Sequence, residues 1–187
     1  MPLEEETRLM RLVGQGDAKV YRTLTDEHLR SIVSYAYRLL ADRNEAEDIA
    51  QETFLRLWTS AAKWKPEARL TTWLHRVAHN LCIDLLRKRR ERGSHPVESC
   101  PADDRPSGLV ERRRIARTVE EAVGELPERQ RAAIMLVHFQ GLTNLEAAEV
   151  LEVSVDALES LLARARGTLR ARLAGLREES HGEAHER

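Results

Sequence analysis

The sequence predicts an all-α protein: two small helical domains joined by a flexible linker, the C-terminal one a helix-turn-helix. Three observations carry that expectation. Leu, Ala, Arg and Glu dominate a chain that is 33% charged and only 4% aromatic, and all four are good helix formers. No run of β-branched residues alternates with polar ones, as a strand would require. Three of the six prolines (Pro96, Pro101 and Pro106) fall between Gly93 and Gly108, where their missing amide protons exclude a helix interior. The 187 residues therefore divide into a domain at 1–92, a net acidic linker at 93–108, a domain at 109–176 and a tail at 177–187. The tail has almost nothing to bury and is expected to be disordered.

Each helix has its own signature. Leu9 to Val13 and Val20 to Leu40 repeat apolar residues at three- and four-residue spacing, with Leu29, Ile32, Val33, Ala36, Leu39 and Leu40 on one side,. A helix from Asn44 to Trp58 follows, with Asn44 as its cap and Glu45, Glu47 and Asp48 at its positive start,. Its apolar face is Ala46, Ala50, Phe54, Leu57 and Trp58, opposite an acidic face of Glu45, Asp48 and Glu52,. Beyond Pro66 comes a helix with Trp73, Val77, Leu81 and Leu85 facing inward. In the second domain, Glu111 to Val123 is helical, and Pro127 opens the next helix at a position that tolerates proline,. Gly141 ends that helix,. Thr143 and Glu146 fit a capping box for its successor, which runs from about Asn144 to Leu151,.

Bulk properties exclude several classes. The net charge of −1 supplies no global field for nucleic acid, so any such binding must come from local patches. Cys82 and Cys100 form no CxxC pair and read as reduced cytosolic thiols,. No apolar run reaches the roughly 18 residues of a membrane span, and the acidic start MPLEEETRLM lacks signal-peptide features,. Glycine-rich phosphate loops, nucleophile elbows and HExxH are absent from the sequence,. No enzyme, cofactor or small-molecule substrate is expected.

Four features could carry function. The first is the segment Leu142 to Leu173, a helix from about Asn144 to Leu151, a turn at Glu152 to Ser154 and a second helix. Val155, Leu158, Leu162, Ala165, Leu169 and Leu173 share one face of the second helix, and Asp156, Ser160, Ala163, Arg164 and Gly167 the other. A small-residue, hydroxyl and arginine face of this kind fits the DNA major groove, with Arg164 and Ser160 able to reach bases or phosphates. Glu152 stands where glycine often adopts a left-handed conformation, at a cost on the order of 1 kcal/mol. Glu159 puts a negative charge beside the same face.

The second feature is the stretch from Lys63 to Arg92, whose nine cations and three anions leave it at +6. Trp64 and Trp73 lie within it, and cations beside aromatics suit unstacked bases. Trp73 itself reads as core. The third is the acidic face of Glu45, Asp48 and Glu52, either a solvated surface or a docking face for a basic partner. The fourth is His75, His79 and Cys82, at i, i+4 and i+7. They could line one helix face as zinc ligands, but read better as a mixture of core and surface residues.

Three blocks in order, NEAEDIAQETFLRLW, KWKPEARLTTWLHRVAHNLCIDLLRKRR and LPERQRAAIMLVHFQGL with the helix-turn-helix, resemble the extracytoplasmic-function (ECF) sigma factors of bacterial RNA polymerase. The resemblance covers about Leu9 to Leu173. It implies that Glu45, Asp48, Gln51, Glu52 and Leu55 dock on the β′ clamp helices of core RNA polymerase. It implies that Lys63, Lys65, Arg69, Thr71, Thr72, Trp73, Arg76, His79 and Asn80 meet the −10 element of promoter DNA, where one base is flipped out. It assigns Thr143, Ser154, Asp156, Ser160, Ala163 and Arg164 to the −35 element, with the second domain resting on the β flap. An anti-sigma factor is the expected inhibitor, and the cytoplasm the expected location, with the inner membrane reached only through that inhibitor. A stand-alone helix-turn-helix regulator and a sigma mimic that binds an anti-sigma factor are the alternatives.

Overall fold

The computed structural model describes residues 3–66, 68–93 and 118–182, with side chains described as far as residue 174. Among them there is no strand. The first unit holds α1 (Leu3–Gly14), α2 (Ala18–Leu40), α3 (Arg43–Ser60), a 3₁₀ turn (Ala61–Lys63) and α4 (Leu70–Glu91). The second holds α5 (118–124), α6 (Glu128–Ile134), a π-helical turn (Met135–Phe139), α7 (Asn144–Leu151) and α8 (Val155–Gly182). Residues 94–117, with almost all of the expected linker and the start of the helix expected from Glu111, lie outside the described residues.

Short polar side chains set the helix starts. The Asp17 carboxylate accepts from the backbone amides of Lys19 and Val20 at 3.0 Å each, opening α2. Asp42, not Asn44, caps α3: its carboxylate takes the Glu45 amide at 3.0 Å. Asn44 falls inside the first turn, because Asp42 stands in extended backbone three residues before that amide,. Buried Met10, Leu24, Ile32, Tyr35, Leu39, Phe54, Leu57 and Leu74 fill the first unit. Leu29 is an exception to the expected α2 stripe and is 40% exposed.

Helix α4 corrects the expected inward face. Leu70, Leu74, His75, Ala78 and Cys82 are buried, while Trp73, Leu81 and Leu85 are only partly covered. The seam is rotated because α4 is packed from two sides, by α2 and α3 and by α7 of the second unit.

Pro127 is the N-cap of α6 rather than its first residue. After Ile134 the ladder widens to the π register, with the Gln140 amide donating to the Met135 carbonyl at 2.9 Å, and Gly141 at φ 71° ends it. The capping box is present: Thr143 Oγ1 accepts from the Glu146 amide at 3.2 Å and the Glu146 carboxylate accepts from the Thr143 amide at 2.8 Å. Glu152 closes α7 at φ 52°, ψ 47°, the left-handed conformation expected. Helix α8 runs to Gly182, into the segment 177–187 expected to be a disordered tail, and residues 183–187 lie outside the described residues.

The two units share one apolar core. Around it Ser31 Oγ donates to Gln140 Oε1 at 2.6 Å, and Arg38 pairs with Glu120 at 3.1 Å. Arg90 pairs with Glu128 at 3.0 Å, and the Arg38 guanidinium lies 4.7 Å above the Phe139 ring.

Candidate nucleic-acid interface

The basic loop runs from the 3₁₀ turn to the start of α4. Lys63, Lys65 and Arg69 are exposed along it. Trp64 is half-buried and meets Trp73 edge-on, with centroids 5.7 Å apart and an interplanar angle of 71°. Both rings are partly buried against the core, and Trp64 stands between exposed Lys63 and Lys65 along the loop. Farther along α4, Asn80 is exposed, and Thr71 and Arg76 are half-buried.

Two residues expected to meet DNA are drawn inward instead. Thr72 is 1% exposed, and its hydroxyl has no hydrogen-bond partner. His79 packs on buried Tyr35, whose hydroxyl lies 2.9 Å from Nδ1. Burial, and then the Arg129 charge on α6, push the His79 pKa down to about 4. The ring is therefore neutral at pH 7 and can accept the Tyr35 proton. Burial likewise lowers the His75 pKa and raises that of Cys82 to about 12. His75 Nδ1 lies 2.8 Å from the Thr71 carbonyl and its Nε2 lies 3.3 Å from Ser31 Oγ. Cys82 thus keeps its proton at neutral pH, and both His75 nitrogens have partners inside the fold.

The helix-turn-helix presents the face that was expected. Ser154, Asp156, Ser160, Ala163, Arg164 and Gly167 are exposed, while Leu158, Leu162 and Ala165 are buried behind them. Ser154 Oγ accepts from the Ala157 amide at 3.2 Å, and the Thr143 hydroxyl is engaged with Glu146. Beside this face, Asn144 Nδ2 donates to the Glu159 carboxylate at 3.4 Å.

On α3, Asp48 and Gln51 are exposed and Leu55 is 52% exposed. Glu52 is paired with Arg56 at 2.8 Å. Glu45 leaves the expected acidic face: it is held by Arg89, whose other nitrogen donates to the Leu40 carbonyl at 3.1 Å. Trp58, which was expected to be core, is 36% exposed and packs edge-on against Tyr21 with centroids 5.0 Å apart. Its position three residues after Leu55 was the available signal that both belong to one outward strip.

The described surfaces thus combine a cationic loop bearing two tryptophans, an exposed helix face of small, hydroxyl and arginine side chains, and a mixed polar and apolar strip. Comparison with known proteins adds two family matches: Sigma-70 region 2 over residues 24–92 and Sigma-70, region 4 over residues 116–169. The chain is 29% identical to the ECF RNA polymerase sigma factor SigW of Bacillus subtilis, covering 88% of this chain and 94% of that protein. It is 32% identical to the ECF RNA polymerase sigma factor SigM of Mycobacterium tuberculosis, covering 86% and 80% respectively. Among solved structures it resembles CnrH, determined in complex with the cytosolic domain of CnrY. There the TM-score is 0.70 and the identity 26%, over 91% of this chain and 97% of that one.

Proposed function

The chain belongs to the ECF sigma factors of the sigma-70 family, and from that premise we propose how its surfaces divide the work of promoter recognition. Sigma factors catalyse nothing themselves. They give RNA polymerase its promoter address and help open the duplex. The exposed α3 strip of Asp48, Gln51, Leu55 and Trp58 docks on the β′ clamp helices. Lys63, Lys65, Arg69 and Asn80 hold the displaced −10 strand, whose flipped base costs a few kcal/mol, offset by stacking and phosphate contacts. Ser160 and Arg164 on α8 read the −35 element while the second unit rests on the β flap. The observation that carries this reading is the pairing, in one chain, of a cationic loop bearing two tryptophans with a helix-turn-helix whose second helix exposes Ser160, Ala163 and Arg164.

Reach imposes a further step. The −10 and −35 elements are separated by about 25 base pairs, roughly 80 Å of duplex. A chain of this length folded as one compact body is only about 40 Å across, and here α4 packs against α7 across the two units. Promoter engagement must therefore part the two units and break the Ser31–Gln140, Arg38–Glu120 and Arg90–Glu128 contacts.

An anti-sigma factor is the proposed inhibitor, supported by the capture of the similarly folded CnrH on a cytosolic domain of another protein. The chain then resides in the cytoplasm and reaches a membrane only through that partner. No helix among the described residues is long and apolar enough to cross one. Tagged chain purified from its native cells should carry a stoichiometric protein partner, and recovery of free chain alone would overturn the inhibitor.

The decisive experiment adds the chain to core polymerase and a genomic template and maps transcript starts. Discrete starts preceded by a shared pair of elements support the reading. Silence or general inhibition overturns it in favour of a mimic or a free-standing regulator.

A further inference from the structure

Helix α1 opens with Glu4, Glu5 and Glu6, and the three have different fates. Glu5 pairs with Arg8 at 2.8 Å on the surface. Glu6 is only 2% exposed, and a carboxylate removed from water needs strong partners. It finds them at the start of α4, where Oε2 accepts from the Leu70 amide at 2.7 Å and Oε1 lies 3.5 Å from Arg69 Nη2. The first amides of a helix lack intrahelical acceptors, and Arg69, the N-cap of α4, offers no side-chain oxygen. Glu6 thus supplies, from 64 residues away in sequence, what a capping side chain supplies locally. Its charge also suits the positive end of the helix.

The other end of α1 meets the other end of the basic loop. A Cβ added to Gly14 would lie 2.8 Å from Ala62 Cα and 2.9 Å from Ala62 N. The last turn of α1 therefore rests directly on the backbone of the 3₁₀ turn, which only glycine allows. Between the two anchor points, Thr7, Arg11 and Gln15 face Trp64 across a cleft of about 270 Å³.

We propose that α1 is a splint for the strand-reading loop, with Glu6 and Gly14 as positioning residues that fix its exit and its entry. The inference rests on the reading of that loop as the −10 strand site. In it, promoter opening depends on α1 through loop geometry, while polymerase docking through α3 does not.

The test reconstitutes holoenzyme from the full chain as wild type, Glu6→Ala, Glu6→Gln and Gly14→Ala, on a promoter fragment mapped with the wild type. Three readouts are compared: affinity for core polymerase, the footprint over −35, and permanganate reactivity of −10 thymines. Glu6→Ala should cut permanganate reactivity about tenfold, the scale of a lost charge-assisted capping bond, and Gly14→Ala by about as much, the scale of an overpacked backbone contact. The −35 footprint should stay within roughly twofold, as distant sites are nearly independent, and core affinity should fall severalfold less than opening does, although Ala62 follows Trp58 by only four residues. Glu6→Gln keeps an oxygen for the Leu70 amide and should return to within about threefold of wild type. Parallel loss of all three readouts would reduce Glu6 and Gly14 to general stability and overturn the splint, as would full opening by Glu6→Ala. Should Glu6→Ala fail to fold, Gly14→Ala and Glu6→Gln decide on the same criteria. A wild type that opens no promoter brings down the sigma-factor reading and the splint with it.

Discussion

Acidification should weaken this fold through His79, by an amount that follows from its surroundings. The ring lies between Tyr35 on α2 and Arg129 on α6, and its pKa is pushed down to about 4 by burial first and the Arg129 charge second. In the unfolded chain it returns to about 6.5. Between those values the unfolded chain binds the extra proton, so stability falls as the pH falls. The whole gap corresponds to about 3 kcal/mol, of which about 2 kcal/mol is lost between pH 7 and pH 5. Urea unfolding followed by circular dichroism at both pH values, on wild type and His79→Gln, isolates that share. His75 and His28, whose pKa values are also lowered by burial, contribute to both proteins alike. The wild type should lose about 2 kcal/mol more than the variant. Equal losses, or a His79 ring resonance that titrates near 6.5, would refute the reasoning.

Three other expectations follow from single contacts. Glu152→Gly relieves the left-handed cap of α7 and should stabilise the chain by about 1 kcal/mol, read as a rise of a few degrees in Tm. Arg164→Ala removes the one exposed cation among the assigned −35 residues, and should weaken promoter binding by about 1–3 kcal/mol if the guanidinium grips a base; competition gel shifts with holoenzyme would measure it. A reducible bis-thiol crosslinker placed between Ser31→Cys and Gln140→Cys should lock the units together and abolish promoter-specific transcription, with activity restored by reductant. Undiminished transcription from the locked chain would show that the units need not part.

Where the determinants are local, the sequence was legible. The α7–α8 pair was readable because a capping box, a left-handed turn residue and a serine cap all lie within a dozen residues of one another. The α8 stripe followed from helical spacing alone, since it is covered from one side. Helix α4 was misphased because spacing analysis assumes one covered face, whereas α7 arrives from the other unit and buries a second. Asp42 and Asn44 are equally good caps in composition, and only backbone conformation chooses between them. Glu6 was invisible for a different reason: its partners are the Leu70 amide and Arg69, which no local pattern connects to a run of three glutamates. The same long-range bonding removed Glu45 from the expected acidic face and turned His79 toward Tyr35. At the candidate site, the exposed cations and the exposed face of α8 were readable. Which polar residues the fold had already engaged was not.

The central claim is that one chain grips a promoter at two separated places while anchored to polymerase. Placing a photo-crosslinker at Asn80 in one variant and at Ser160 in another measures it most directly. With core polymerase present, the first should crosslink at the −10 element and the second at the −35 element, about 25 base pairs apart. Crosslinks from both variants to a single position, or equally strong crosslinks without polymerase, would contradict the account.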